Sequence, residues 1–174
     1  AEVQMLAAGQ VDGLFGYSFG QALTLEQRGF PVNVLPVRDY GVKFYGTVVY
    51  TSDALLKSNP DLVKRFVRAT MKSLIWTHGN IETAMKEVVA VSPDRDLKLE
   101  SRKLELIYAL YNSPDYNQRF GLMNDAKWQS SIDILAKSGD LPKKPTPKEM
   151  YTNAIVDNLD EAKTLSTIVK HAPK

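Results

Sequence analysis

The sequence predicts an α/β fold, a mixed sheet with flanking helices followed by a helix-rich C-terminal half. Three observations carry this. β-Branched and aromatic runs at residues 11–15, 32–37 and 44–50 read as strands. A capped helical segment at 18–28 separates the first two. After Tyr50 the apolar residues recur only at three- and four-residue spacing. Strands alternating with helices in this way imply βαβ crossovers and a parallel or mixed sheet. Ligands of such sheets bind beyond the carboxyl ends of the strands, where the turns at 16–19 and 39–45 would lie.

Taken in order, residues 1–8 resemble the last turns of a helix closed by Gly9, so the chain is expected to start inside a domain, as a piece of a longer chain. A strand at 11–15 leads through Gly16 and Tyr17 to Ser18. Ser18 reads as an N-cap because Gln21 stands three residues later, where a capping box needs it. The helix runs to Arg28, Gly29 supplies a left-handed C-cap, and Pro31 prevents resumption. Residues 38–41, Arg-Asp-Tyr-Gly, break the second strand before the third. Asn59 caps the next helix with Pro60 at its first position, and Leu62, Val63, Phe66, Val67, Met71 and Leu74 mark its apolar face up to Gly79. Asn80 opens a further helix stopped by Ser92-Pro93, and 99–111 form another. A polar loop at 114–124 carries Tyr116, Phe120 and Leu122. From Asp125 a helix turns Trp128, Ile132 and Leu135 to one side and ends at Gly139. Residues 141–147 are an extended connector rich in Pro and Lys, and 161–170 read as a modest terminal helix prone to fray.

Composition narrows the function. The 174 residues, 44% hydrophobic and 24% charged, suit one globular domain of ordinary size. The net charge is +2 with the two signs interleaved, which argues against nucleic acid as a partner. Absence of cysteine excludes disulfides, thiolate metal sites and a Cys nucleophile. No apolar run approaches the roughly 20 residues of a membrane span.

Gly16-Tyr17-Ser18-Phe19-Gly20 matches the nucleophile-elbow pattern G-x-S-x-G between a strand and a helix. A serine hydrolase is therefore a remote alternative. It would need several preceding strands and a later acid and histidine, yet only His78 and His171 follow, neither after a strand. A cap explains Ser18 without catalysis. The histidines have no neighbours at ligand spacing, and neither G-x-G-x-x-G nor a Walker lysine occurs, so no metal, cofactor or catalytic residue is assigned. Asp39 differs from the other carboxylates because it sits in a turn between apolar runs, as an Asx-turn partner or as a ligand contact. With Phe15, Tyr17, Phe19, Tyr40, Phe44 and Tyr45 on the two turns, an aromatic-walled pocket is expected. The candidate ligand-binding residues are Gly16, Tyr17, Ser18, Phe19, Asp39, Tyr40, Phe44 and Tyr45.

The run Ala8-Gly9-Gln10-Val11-Asp12-Gly13, then 32–36, Asp39-Tyr40-Gly41-Val42 and Phe44-Tyr45-Gly46, resembles the substrate-binding proteins of bacterial ABC importers, in the nitrate, sulfonate, taurine and thiamine-pyrimidine-precursor group. Thr51-Ser52-Asp53, Asn59-Pro60-Asp61-Leu62-Val63, Phe66-Val67-Arg68-Ala69, Trp128-Gln129 with Ile132, and Tyr151-Thr152-Asn153 extend the match in order over about residues 1–155. The resemblance implies the C-terminal part of a two-lobed type II periplasmic-binding-protein fold. Residues 1–42 would belong to the second lobe, and 43–174 to a hinge crossover strand and part of the first. It further implies a non-enzymatic receptor, a monomer at full length, held in the periplasm or lipid-anchored outside the cytoplasm, that traps a small molecule between the lobes and presents it to an ABC permease in the inner membrane. A thiamine-pyrimidine synthesis enzyme of the same fold is the alternative. Within the group, aromatic faces and one carboxylate favour a flat nitrogen-rich heterocycle such as a thiamine pyrimidine precursor. A sulfonate, taurine or nitrate would want backbone N–H groups and Arg or Lys instead.

Overall fold

The computed structural model describes residues 2–112 and 119–170. The loop residues Pro114 and Tyr116, and His171, lie outside the described residues. The helices are α1 (Glu2–Ala7), α2 (Leu23–Gln27), α3 (Asp53–Ser58), α4 (Pro60–Gly79), α5 (Ile81–Val91), α6 (Leu97–Tyr111), α7 (Asp125–Ser138), α8 (Pro147–Met150) and α9 (Asp160–Lys170), of which α3 and α8 were not expected from the sequence. Their ends have local causes. The Asn59 side chain accepts from Leu62 N at 3.1 Å, and that of Asn124 from Lys127 N at 2.9 Å. Thr146 and Glu149 form a reciprocal capping box. Gly29 and Gly139 close their helices at φ 81° and 82°, a conformation that L side chains rarely adopt.

The sheet is not there. Among the described residues no strand forms, and the mixed α/β sheet expected from 11–15, 32–37 and 44–50 is overturned. These segments are irregular chain whose large side chains face solvent: Phe15 is 80% exposed, Leu35 69% and Tyr50 91%. Local composition favours extended backbone, but a strand exists only when a second segment completes its ladder and covers one face. The end of the second run does not stay extended. Val37–Tyr40 winds into a 3-10 turn closed by Gly41 at φ 82°.

The chain divides into two compact units. One comprises residues up to Leu35 together with Gly79–Tyr111. In it α5 packs along α6, α6 meets the turn Ser18–Ala22, and Leu25 and Tyr108 are buried. The Tyr108 and Tyr111 rings meet edge to face at 5.9 Å.

The other unit comprises Pro36–His78 and the residues from Asn112 onward. Its core joins Met71 of α4 to Val156, Leu159 and Ala162, with Val67, Phe120, Leu122 and Ile155 packed around them. Helix α9 docks on this core along one face. Ala162, Leu165, Ser166 and Val169 are all buried, spaced three and four residues apart along one face. Arg119 donates to the Leu159 carbonyl at 2.7 Å, and Phe120 N to the Ala162 carbonyl at 2.9 Å.

Three phenols titrate late. Burial, then the nearby Tyr111, pushes Tyr108 up to about 12. Burial also raises Tyr111. A hydrogen bond to Asp125, then burial, pushes Tyr151 up to about 12. Each group holds its proton more tightly folded than unfolded, where tyrosine titrates near 10. The stability they confer is therefore complete below about pH 10 and lost as pH rises towards 12. Phenolate absorbance should lag in the native protein relative to the urea-unfolded chain. Superimposable curves would refute the assignment.

Candidate functional site

The eight residues singled out from sequence divide between the two units, four in each. In the first, Gly16 and Tyr17 lead into a π-turn at Ser18–Ala22 that continues as α2. The cap stands one residue earlier than the sequence suggested. Tyr17 is the N-cap residue, its N–H donates to Gln21 Oε1 at 3.0 Å, and its carbonyl accepts from Gly20 N and Gln21 N. Widening the first turn to π geometry moves Ser18 inside the helix, so it does not cap. Its hydroxyl makes no hydrogen bond among the described residues. The segment before it is unpaired chain, so the strand that a nucleophile elbow requires is missing. Gly16 has a structural reason: a Cβ there would come within 2.8 Å of the Gln21 side chain and disturb its bond to Tyr17. Tyr17 and Phe19 stack on each other with centroids 5.0 Å apart.

In the second unit, Asp39 pairs with its neighbour Arg38 at 3.6 Å, both well exposed. Such a pair is worth little in stability, but it places a cation on the carboxylate expected to receive a ligand. Phe44 is exposed. Tyr45 is a structural tie. Its hydroxyl accepts from Asn124 N at 2.9 Å, its ring lies 5.9 Å from that of Trp128, and Lys127 Nζ stands 4.8 Å from its centroid. Trp128 stacks in turn on Tyr151 at 6.1 Å, and the Tyr151 hydroxyl donates to Asp125 at 2.7 Å. The Trp128 indole N–H is buried with no acceptor among the described residues.

Tyr40 remains open. Tyr40 is 69% exposed and lines, with Gly41 and Val42, a shallow, open surface groove of about 570 Å³. The remaining lining residues all come from α7: Ala126, Gln129, Ser130, Asp133, Ile134 and Lys137. These positions recur at helical spacing on the side away from the buried Ile132. Asp133 is the best-supported polar group here. Gln129 Nε2 donates to its Oδ1 at 3.0 Å and Lys144 Nζ meets the same oxygen at 2.5 Å. The Lys144 bond first, then that of Gln129, holds its carboxyl below the usual range, so it is ionised at neutral pH. Sequence reasoning missed Gln129, Ser130, Asp133 and Lys137 as site residues. The available signal was their helical recurrence on one face of α7, which resembles an ordinary solvated face.

Comparison with known proteins now bears on this groove. Residues 2–84 match the family described as NMT1/THI5 like. The match spans just under half of the chain. The matched region holds all eight residues chosen from sequence, Tyr40 of the groove among them. The riboflavin-binding protein RibY of Chloroflexus aurantiacus is 26% identical over 147 residues, 81% of this chain and 41% of RibY. The chain thus spans less than half the length of this curated relative. The resemblance to the solute-binding branch read from residues 8–13 and 32–46 agrees with both findings.

Proposed function

We propose that the chain is part of a solute receptor that binds a flat nitrogen heterocycle without covalent chemistry and hands it to an ABC permease outside the cytoplasm. The family match and the riboflavin-binding relative support binding rather than catalysis. The observation that carries the ligand class is the groove itself. Exposed Tyr40 lines it together with Gln129, Ser130, Asp133 and Lys137, so a planar ring stacked on the tyrosine would have hydrogen-bonding side chains at hand for its edge. Aminopyrimidines and the pyrimidine-dione ring of a flavin share that chemistry. A sulfonate or nitrate would meet Lys137 as well as ionised Asp133 there, so it is the stacking face of Tyr40 that favours a ring.

Calorimetry of the 174-residue chain with 4-amino-2-methylpyrimidine and, separately, riboflavin tests this and distinguishes the two sources of the ring. Binding is expected for at least one, and Tyr40→Ala should weaken it by about three- to tenfold through the lost stacking face. Taurine binding with no response to either ring compound would overturn the reading.

A further inference from the structure

We propose that Asp133 determines specificity in the groove, accepting hydrogen bonds from N–H donors on the edge of the bound ring. The inference rests on the solute-binding reading above and assigns the role expected of Asp39 to a different carboxylate. Two carboxylates flank the Tyr40 region in sequence and structure, and they are not equivalent. Asp39 is not among the groove-lining residues. Asp133 lines the groove together with Tyr40.

Its hydrogen bonding is one-sided. Gln129 and Lys144 both reach Oδ1, and Oδ2 has no partner among the described residues. One oxygen is therefore met by two donors while the other keeps its acceptor capacity. Lys144 comes from the connector between α7 and α8, so its charge stabilises the carboxylate from outside the helix that carries it. A ring edge with an exocyclic amine or an imide N–H would complete the carboxylate's hydrogen bonding. A solute presenting only acceptors there would leave an ionised oxygen facing lone pairs.

Asn is an informative substitution because both anchors are donors. They hold the amide oxygen, so the amide NH2 takes the place of Oδ2 and an acceptor becomes a donor at nearly unchanged volume. Calorimetry of the 174-residue chain is done with 4-amino-2-methylpyrimidine and its 4-dimethylamino analogue, which has lost the donor hydrogens. The wild type should bind the amine at least tenfold more tightly. Asp133→Asn should weaken the amine by roughly tenfold to a hundredfold, as expected for a hydrogen bond to a charged group, and leave the dimethylamino compound unchanged. Asp39→Asn should alter neither, and an unchanged thermal midpoint in both variants shows that they fold. Equal binding of the amine by wild type and Asp133→Asn overturns the role of Asp133 while leaving the receptor reading standing. Equal wild-type affinity for the two pyrimidines overturns selection for donors. Absence of binding by either pyrimidine and by riboflavin overturns both proposals together.

Discussion

Leu159→Ala is expected to lower the free energy of unfolding by about 2–5 kcal/mol, the range for emptying a leucine-sized volume in a packed core. Leu159 is 0% exposed and sits where Met71 of α4 meets Val156 and Ala162. Its backbone is fixed as well as its side chain. Leu159 N bonds the Val156 carbonyl at 3.1 Å, and its own carbonyl accepts from Arg119 at 2.7 Å. A residue pinned at both polar groups cannot slide to fill the space left by its side chain, which places the expected cost above the low end for this class. Urea unfolding should show a lower midpoint with an unchanged slope. Leu135→Ala provides the contrast, since Leu135 is on α7 but exposed. If the two variants lose similar stability, the core has been misplaced.

The position of that core shows what the sequence could and could not disclose. Helix ends were legible because their causes lie within a few residues: Asn59 and Asn124 bond N–H groups three positions on, and Gly29 and Gly139 adopt the left-handed turn that stops a helix. Even there, a one-residue shift separated the expected Ser18 cap from the observed Tyr17, because π geometry at Ser18–Ala22 was not encoded in the Ser-x-x-Gln spacing alone. The importance of α9 was missed for the opposite reason. Its alanine, leucine, serine and valine face is short and weakly apolar, and becomes a core only through Met71 and Phe120, far away in sequence. The three strand-like runs failed because pairing is a property of two segments and composition is a property of one. At the site, an exposed aromatic in a glycine-closed turn made Tyr40 recognisable. Asp133 was not, since a charged helix position acquires meaning only when residues 40–42 line the same groove.

Asn153→Leu should also cost about 2–6 kcal/mol, and it should reach the groove. Asn153 clips the chain before α7 with both ends of its amide: Nδ2 donates to the Met123 carbonyl at 2.8 Å, and Oδ1 accepts from Met123 N at 3.0 Å. Leucine has nearly the same volume and neither polar atom, so a partly buried N–H and C=O lose their partners together, at about 1–3 kcal/mol each. The neighbouring ties share the load: Tyr45 accepts from Asn124 N, and Tyr151 donates to Asp125. These three contacts fix where α7 begins and hence where its groove-facing residues stand. Loosening one should therefore weaken solute binding as well as folding, although Asn153 does not line the groove. Asn153→Asp separates the two halves of the clip. It keeps an acceptor for Met123 N but sets a carboxylate against the Met123 carbonyl, which raises the carboxyl's folded pKa above its unfolded value near 3.9. The stability deficit of this variant relative to wild type should accordingly shrink as pH falls through that raised pKa, because protonation restores a donor. No such recovery is available to Asn153→Leu. Urea unfolding of both variants at pH 7 and in mild acid reads the difference, and wild-type stability in Asn153→Leu would show that the clip does not hold α7.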